Sequence, residues 1–185
     1  APNNAGNTYT WDDAIYADLQ GAAGKFIGLI NVNAFGGHSD WRLPTINELS
    51  SIVNCEIAKY DENPTKATPA ADTKNYFLNM KVGHYWSSTL GRNQGEAYYL
   101  DFSDGTVGLD TNDSSVEKYV IAVRGTASSA TDRFNDNGGM ITDTFTGLMW
   151  RKAVSSSQED WEGAMLSCEA LDDGSFDDWR LPNRK

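Results

Sequence analysis

The side chains best suited to chemistry fall into a few groups. His84 stands beside Tyr85, Trp86, Ser87 and Ser88, and a histidine next to serines invites a nucleophile and base. A triad needs a third, orienting group; none is visible, and the other histidine, His38, lies in a glycine loop. Tyr85, Trp86, Ser87, Tyr98 and Tyr99 carry rings and hydroxyls that can stack on sugars and hydrogen-bond to them, and the same residue types also fill a core. Both readings stand for these five. Asp132, Asn135, Asp136 and Asn137 precede Gly138-Gly139, giving alternating oxygen ligands and a glycine turn, as a calcium loop requires. The terminal bidentate Glu of such loops is missing, and an Asx-rich turn opening a hairpin accounts for the same residues. Asp110, Asn112 and Asp113 form a second acidic loop with the same two readings. No phosphate loop, dinucleotide fingerprint or zinc-protease motif occurs, so no cofactor is expected, calcium being the one candidate.

These groups need a scaffold. The 185 residues suit one domain, or one domain and part of another. Hydrophobic residues make up 39% and aromatic residues 11%, with six Trp, enough for a core. Seventeen Gly among many Asn, Asp, Ser and Thr indicate short elements joined by loops. A net charge of −11 repels phosphate backbones and anionic lipid, which disfavours nucleic-acid partners. No apolar run reaches the ~18 residues of a membrane span. Ala1-Pro2-Asn3-Asn4 reads as a mature or processed start. Cys55 and Cys168 lack metal-ligand spacing; a disulfide in a secreted chain and two free thiols are both open.

The chain repeats itself. Asp40-Trp41-Arg42-Leu43-Pro44 recurs as Asp178-Trp179-Arg180-Leu181-Pro182, and Trp11-Asp12-Asp13-Ala14-Ile15 parallels Trp161-Glu162-Gly163-Ala164-Met165. The helix starts lie 150 residues apart and the Trp-Arg-Leu-Pro motifs 138, so the first copy carries 12 extra residues, placed between Gly21 and Gly37. The repetition favours a framework role for Trp41, Arg42 and Pro44, and for Trp179, Arg180 and Pro182, over ligand contact. It also suggests a piece of a longer repeat protein, with the start and the Arg184-Lys185 end both falling inside repeated units.

Thr10 is a predicted N-cap, followed by an apolar stripe of Trp11, Ala14, Ile15 and Leu19. Thr45 and Glu48 form a capping box after Pro44, with Leu49, Ile52 and Val53 on the buried face. Residues Lys59 to Ala71 read as a loop. Strands are expected over Tyr85–Thr89, Ala97–Phe102 and Thr106–Leu109, with a turn at Ser103-Asp104-Gly105. Tyr119–Arg124 reads as a sheet-centre strand, and Met140–Thr142 with Gly147–Trp150 as a hairpin. Two helices followed by short antiparallel strands make an α+β domain.

Taken together, Asp40 to Thr45 with Glu48-Leu49, Tyr85 to Ser88, Ala97-Tyr98-Tyr99 with Phe102 and Asp104-Gly105, Val123-Arg124-Gly125, and Thr146 to Trp150 resemble the Lcl C-terminal domain family of bacterial extracellular proteins. The resemblance implies a C-type-lectin-like fold, related to that of formylglycine-generating enzymes: two helices on short twisted antiparallel sheets. The reactive cysteine pair of those enzymes has no match here. It implies a non-enzymatic, secreted or surface-bound binding and adhesion module for a glycan or matrix ligand, contacted through loops around residues 84–118. The alternative is a structural repeat of an extracellular fibre or array, with neighbouring copies as partners in a homo-oligomer. On this resemblance residues 1–128 form one unit, completed by the hairpin 131–152 docking beside Tyr119–Arg124, and residues 153–185 begin a second, truncated copy. The family often carries cysteines where this chain has Asp18 and Ala122; Cys168 occupies the helix position in the second copy, which places its partner beyond Lys185.

Overall fold

The computed structural model describes residues 7–15, 26–54, 77, 80–113, 115–126, 133–155, 157–172 and 176–183. The chain divides into two compact units, Ala1–Ala127 and Ser128–Arg184. Both are α+β and rich in loops.

In the first unit, strand β1 (Tyr9–Thr10) leads straight into helix α1 (Trp11–Ile15). Thr10 caps it as predicted: its Oγ1 accepts from the Asp13 N–H at 3.2 Å. Helix α2 (Phe26–Val32) and a 3-10 turn (Phe35–Gly37) follow, inside the Gly21–Gly37 stretch in which the sequence reading placed the extra residues of the first copy. The sequence reading missed α2, because a seven-residue apolar run with β-branched residues looks equally like a buried strand. Helix α3 (Ile46–Ser51) carries the expected Thr45–Glu48 capping box.

Strands β2 (His84–Leu90), β3 (Glu96–Asp101) and β4 (Thr106–Thr111) form an antiparallel meander in that order. Tyr85 pairs Leu100 and Leu100 pairs Val107; Trp86 pairs Tyr99 and Tyr99 pairs Gly108. Because side chains alternate, Tyr85 and Leu100 face one side and Trp86, Ala97 and Tyr99 the other. A core lies on each side. Leu49, Val53, Tyr85, Leu100 and Phe102 make one, bringing α3 onto the sheet. Trp11, Ala14, Leu43, Trp86 and Ala97 make the second, bringing α1 and the Trp-Arg-Leu-Pro segment onto the opposite face.

The segment predicted as one strand over Tyr119–Arg124 is a correction. Only β5 (Glu117–Lys118) is regular, paired with β1. Beyond it the backbone changes partner twice, bridging Tyr119 to Tyr85 in parallel and Val123 to Arg42 antiparallel. A segment shared among three neighbours satisfies its amides without forming a ladder with any one of them.

In the second unit β6 (Phe134–Asp136), β7 (Met140–Asp143) and β8 (Met149–Arg151) form a three-stranded antiparallel sheet, followed by helix α4 (Trp161–Glu169). The predicted hairpin is β7–β8. Strand β6 was not foreseen; it occupies the residues read as an Asx-rich turn or calcium loop. Asp160 caps α4 by accepting from the Gly163 N–H at 2.8 Å.

Candidate functional site

Two family-like motifs lock each other in the first unit. Arg42 holds Glu48 through two bonds, at 2.8 and 2.6 Å, and donates from Nε to the Gly125 carbonyl at 2.7 Å. Glu48 also accepts from the Thr45 N–H, and the Arg42 guanidinium is the main cause holding its carboxyl down at about 2. In return Arg124 reaches Asp40, with Nε at 2.8 Å, and lies over the Trp41 ring. Asn31 on α2 clamps the backbone of Trp41 with both its side-chain atoms at 2.8 Å, and the Phe35 carbonyl accepts the Trp41 indole N–H at 3.0 Å. Trp41, Arg42 and Pro44 are therefore framework residues. Pro44 contributes its carbonyl to the Ser88 N–H, which ties the motif to β2.

Tyr85, Trp86 and Ser87, named as candidate ligand contacts, are interior groups, which corrects that reading. Trp86 is 0% exposed, and its indole donates to the Tyr9 carbonyl at 3.0 Å. The Ser87 hydroxyl donates to the Tyr98 carbonyl, while its own carbonyl accepts from Trp11 Nε1. The Tyr85 hydroxyl is engaged with Lys81, and burial pushes its pKa up to about 12. The Ser87 hydroxyl is spent on the Tyr98 carbonyl and the His84 ring lies against Tyr99, so the imidazole does not serve that hydroxyl. Its Nε2 lies 3.3 Å from Asp101 instead.

Tyr98 and Tyr99 are half-buried and point to opposite faces. Tyr99 forms half of a cage for Lys118, whose Nζ sits 4.3 Å from the Tyr99 ring centre and 4.6 Å from that of Trp86. Asp110 closes the cage at 2.7 Å, and the bond from Lys118 lowers the Asp110 pKa. Gly108 lies beneath Tyr99 with no room for a Cβ. The sequence reading missed Lys118, although its alternation with Val116 and Val120 was the signal: all three point into the same core.

On the other face, Tyr98 pairs Leu109 and shares its side of the sheet with Val107. Val107 and Leu109 on the edge strand β4 are exposed, so with half-buried Tyr98 on β3 they form an open aromatic and aliphatic patch. The loop beside it carries Asp110, Asn112 and Asp113. Their polar groups are turned onto the protein itself: Asp113 accepts from the Thr111 and Ser115 hydroxyls, and the Asn112 N–H donates to the Gly95 carbonyl.

In the second unit Asn135 and Asp136 alternate along β6 and face opposite ways. Asp136 is paired with Lys152 at 2.7 Å, and the Asn137 amide donates to Thr142. Asp132 lies outside the described residues, as does Cys55; Cys168 is a free thiol. Among the described residues no group of three acidic, His or Cys side chains is arranged to hold a metal. Buried Asp143 is clamped by Arg133 at 2.7 and 2.6 Å, which holds its carboxyl far below the usual carboxylate range. Trp179 is half-buried with an unpartnered indole N–H, and Arg180 donates to the Leu181 carbonyl as Arg42 does to Leu43. Pro182 is exposed.

The family model for the Lcl C-terminal domain matches residues 2–124. No curated protein and no solved structure matches the chain.

Proposed function

Because the chain belongs to the Lcl C-terminal domain family, a family of surface-associated bacterial domains, we propose that its first unit is a non-enzymatic extracellular module that binds a glycan or matrix ligand. The observation carrying this reading is the open patch of Tyr98, Val107 and Leu109 on β4 and its neighbour. An aromatic ring with a hydroxyl, flanked by aliphatic groups and an acidic loop, suits the apolar face and polar rim of a sugar. The Pro44 carbonyl, which accepts from the Ser88 N–H, ties the Arg42–Glu48 segment to the sheet that displays it. A C-type-lectin-like arrangement is part of the same proposal. Among the described residues no helix is long and apolar enough to cross a membrane. A glycan and matrix-protein array tests the reading. Binding by the natural chain should fall at least about ten-fold in Tyr98→Ala with an unchanged melt; binding that survives Tyr98→Ala and Leu109→Asn together removes the patch.

A second reading, a structural repeat of a fibre or array, is favoured by one observation. Both copies cap their helix at the same position and turn the motif arginine onto the carbonyl of the leucine that follows.

A further inference from the structure

The second unit repeats the helix and the Trp-Arg-Leu-Pro segment of the first, but no apolar residue of it is buried among the described residues. Trp11 is 6% exposed, whereas its equivalent Trp161 is 73% exposed. Leu43 is buried and Leu181 only half-buried, while Leu166 on α4 is also exposed. The first unit shows what covers these positions. Trp11 donates its indole N–H to the Ser87 carbonyl at 2.9 Å and packs with Trp86 and Ala97, so β2 and β3 are the cover. Arg42 is likewise answered by Val123, Gly125 and Glu48.

We infer that the open face of α4 and the Asp178–Pro182 segment is a docking surface for the strand half of another Lcl unit, a polypeptide equivalent to residues 45–127 of this chain. This rests on the repeat reading given above. The partner offers an apolar strand pair, a carbonyl acceptor in place of Ser87 for the Trp161 indole, and a carboxylate in place of Glu48 for Arg180. A second copy of the present chain does not fill this role, because α1 already occupies its β2–β3 face.

The test extends the natural chain, continuing it after Pro182 with a second copy of its own residues 45–127. Oxidative footprinting read by peptide mass spectrometry follows Trp161. Its reactivity should fall about ten-fold towards that of Trp11, in line with their exposures, and should be restored when Arg180→Ala and Leu181→Asp are added. Trp161 as reactive in the extended chain as in the natural one overturns the inference, and so does a Trp161 already protected in the natural chain. A chain extended instead with a full second copy of residues 1–127 is the companion variant: its own α1 covers β2 and β3, so Trp161 should stay as reactive as in the natural chain, and protection there again overturns the inference. The repeat reading is tested separately by placing the second copy's residues in the first, as Asp12→Glu, Asp13→Gly and Ile15→Met. Loss of the first unit's melting transition removes the repeat reading itself, whatever the footprint of Trp161.

Discussion

Lys118 and Asp110 form an ion pair whose two ends sit in different media: the lysine side chain is 4% exposed and the aspartate 37%. Removing the aspartate leaves a buried ammonium with two aromatic faces and no carboxylate. Asp110→Ala should therefore cost about 3 kcal/mol in urea unfolding. Lys118→Met fills the same slot without a charge and leaves a carboxylate that water can reach, so it should stay within about 1 kcal/mol of the natural chain. Equal losses in the two variants would show that the cage is not what sets the energy. The Arg42–Glu48 pair gives a pH signature. Glu48 is depressed from 4.5 to about 2, so its contribution is complete above pH 4.5 and is lost as pH falls towards 2. Glu48→Gln should lower stability by about 1–2 kcal/mol at neutral pH and flatten the acid limb of the stability curve in that window. Charge pairs of this kind are hard to read from sequence. Trp86 and Ser87 show the converse difficulty, since their types suit a sugar site and only burial identifies them as core.

The helices were legible where a local rule decides them. Thr10, Thr45 with Glu48, and the apolar positions after each cap carry their own hydrogen-bonding logic within a few residues. The meander was legible too, because alternation and the Asp104-Gly105 turn are local; Gly105 has a φ of 77° and Asp104 accepts from the Thr106 N–H. The segment 117–124 was not, since its backbone partners lie near residues 9, 42 and 85, and no local pattern announces a strand that changes neighbours. Strand β6 was hidden in the same way, as its Asn and Asp are poor strand formers held by pairing with β7. The acidic loop after β4 allows a direct check at this scale. Its carboxylates already accept from Thr111, Ser115 and Lys118, which engages the oxygens a cation would need. Calcium at millimolar concentration should leave the melting temperature of the first unit unchanged; a rise that Asp113→Asn abolishes would assign the loop to calcium.

One unit has two buried clusters; in the other, among the described residues, no apolar side chain is fully buried. The first has Leu49, Tyr85, Leu100 and Phe102 on one side of its sheet and Trp11, Leu43 and Trp86 on the other, and hydrophobic burial is the main term that offsets chain entropy. The second is held by backbone ladders, the Arg133–Asp143 clamp and the Asp160 cap. Such contacts give shape but little net stability in water, since each replaces a bond to solvent. Unfolding should therefore occur in two steps. Amide exchange in α4 and in β6–β8 should be complete while β2 and β3 are still protected, and Asp160→Ala should speed exchange only within α4. Phe102→Ala, in contrast, should lower the main transition by about 3–5 kcal/mol, because it empties a fully buried site. A single cooperative transition that moves with both substitutions would mean that the second unit draws its stability from apolar contacts made elsewhere. The exposure of Trp161 would then need a different explanation from an absent strand half.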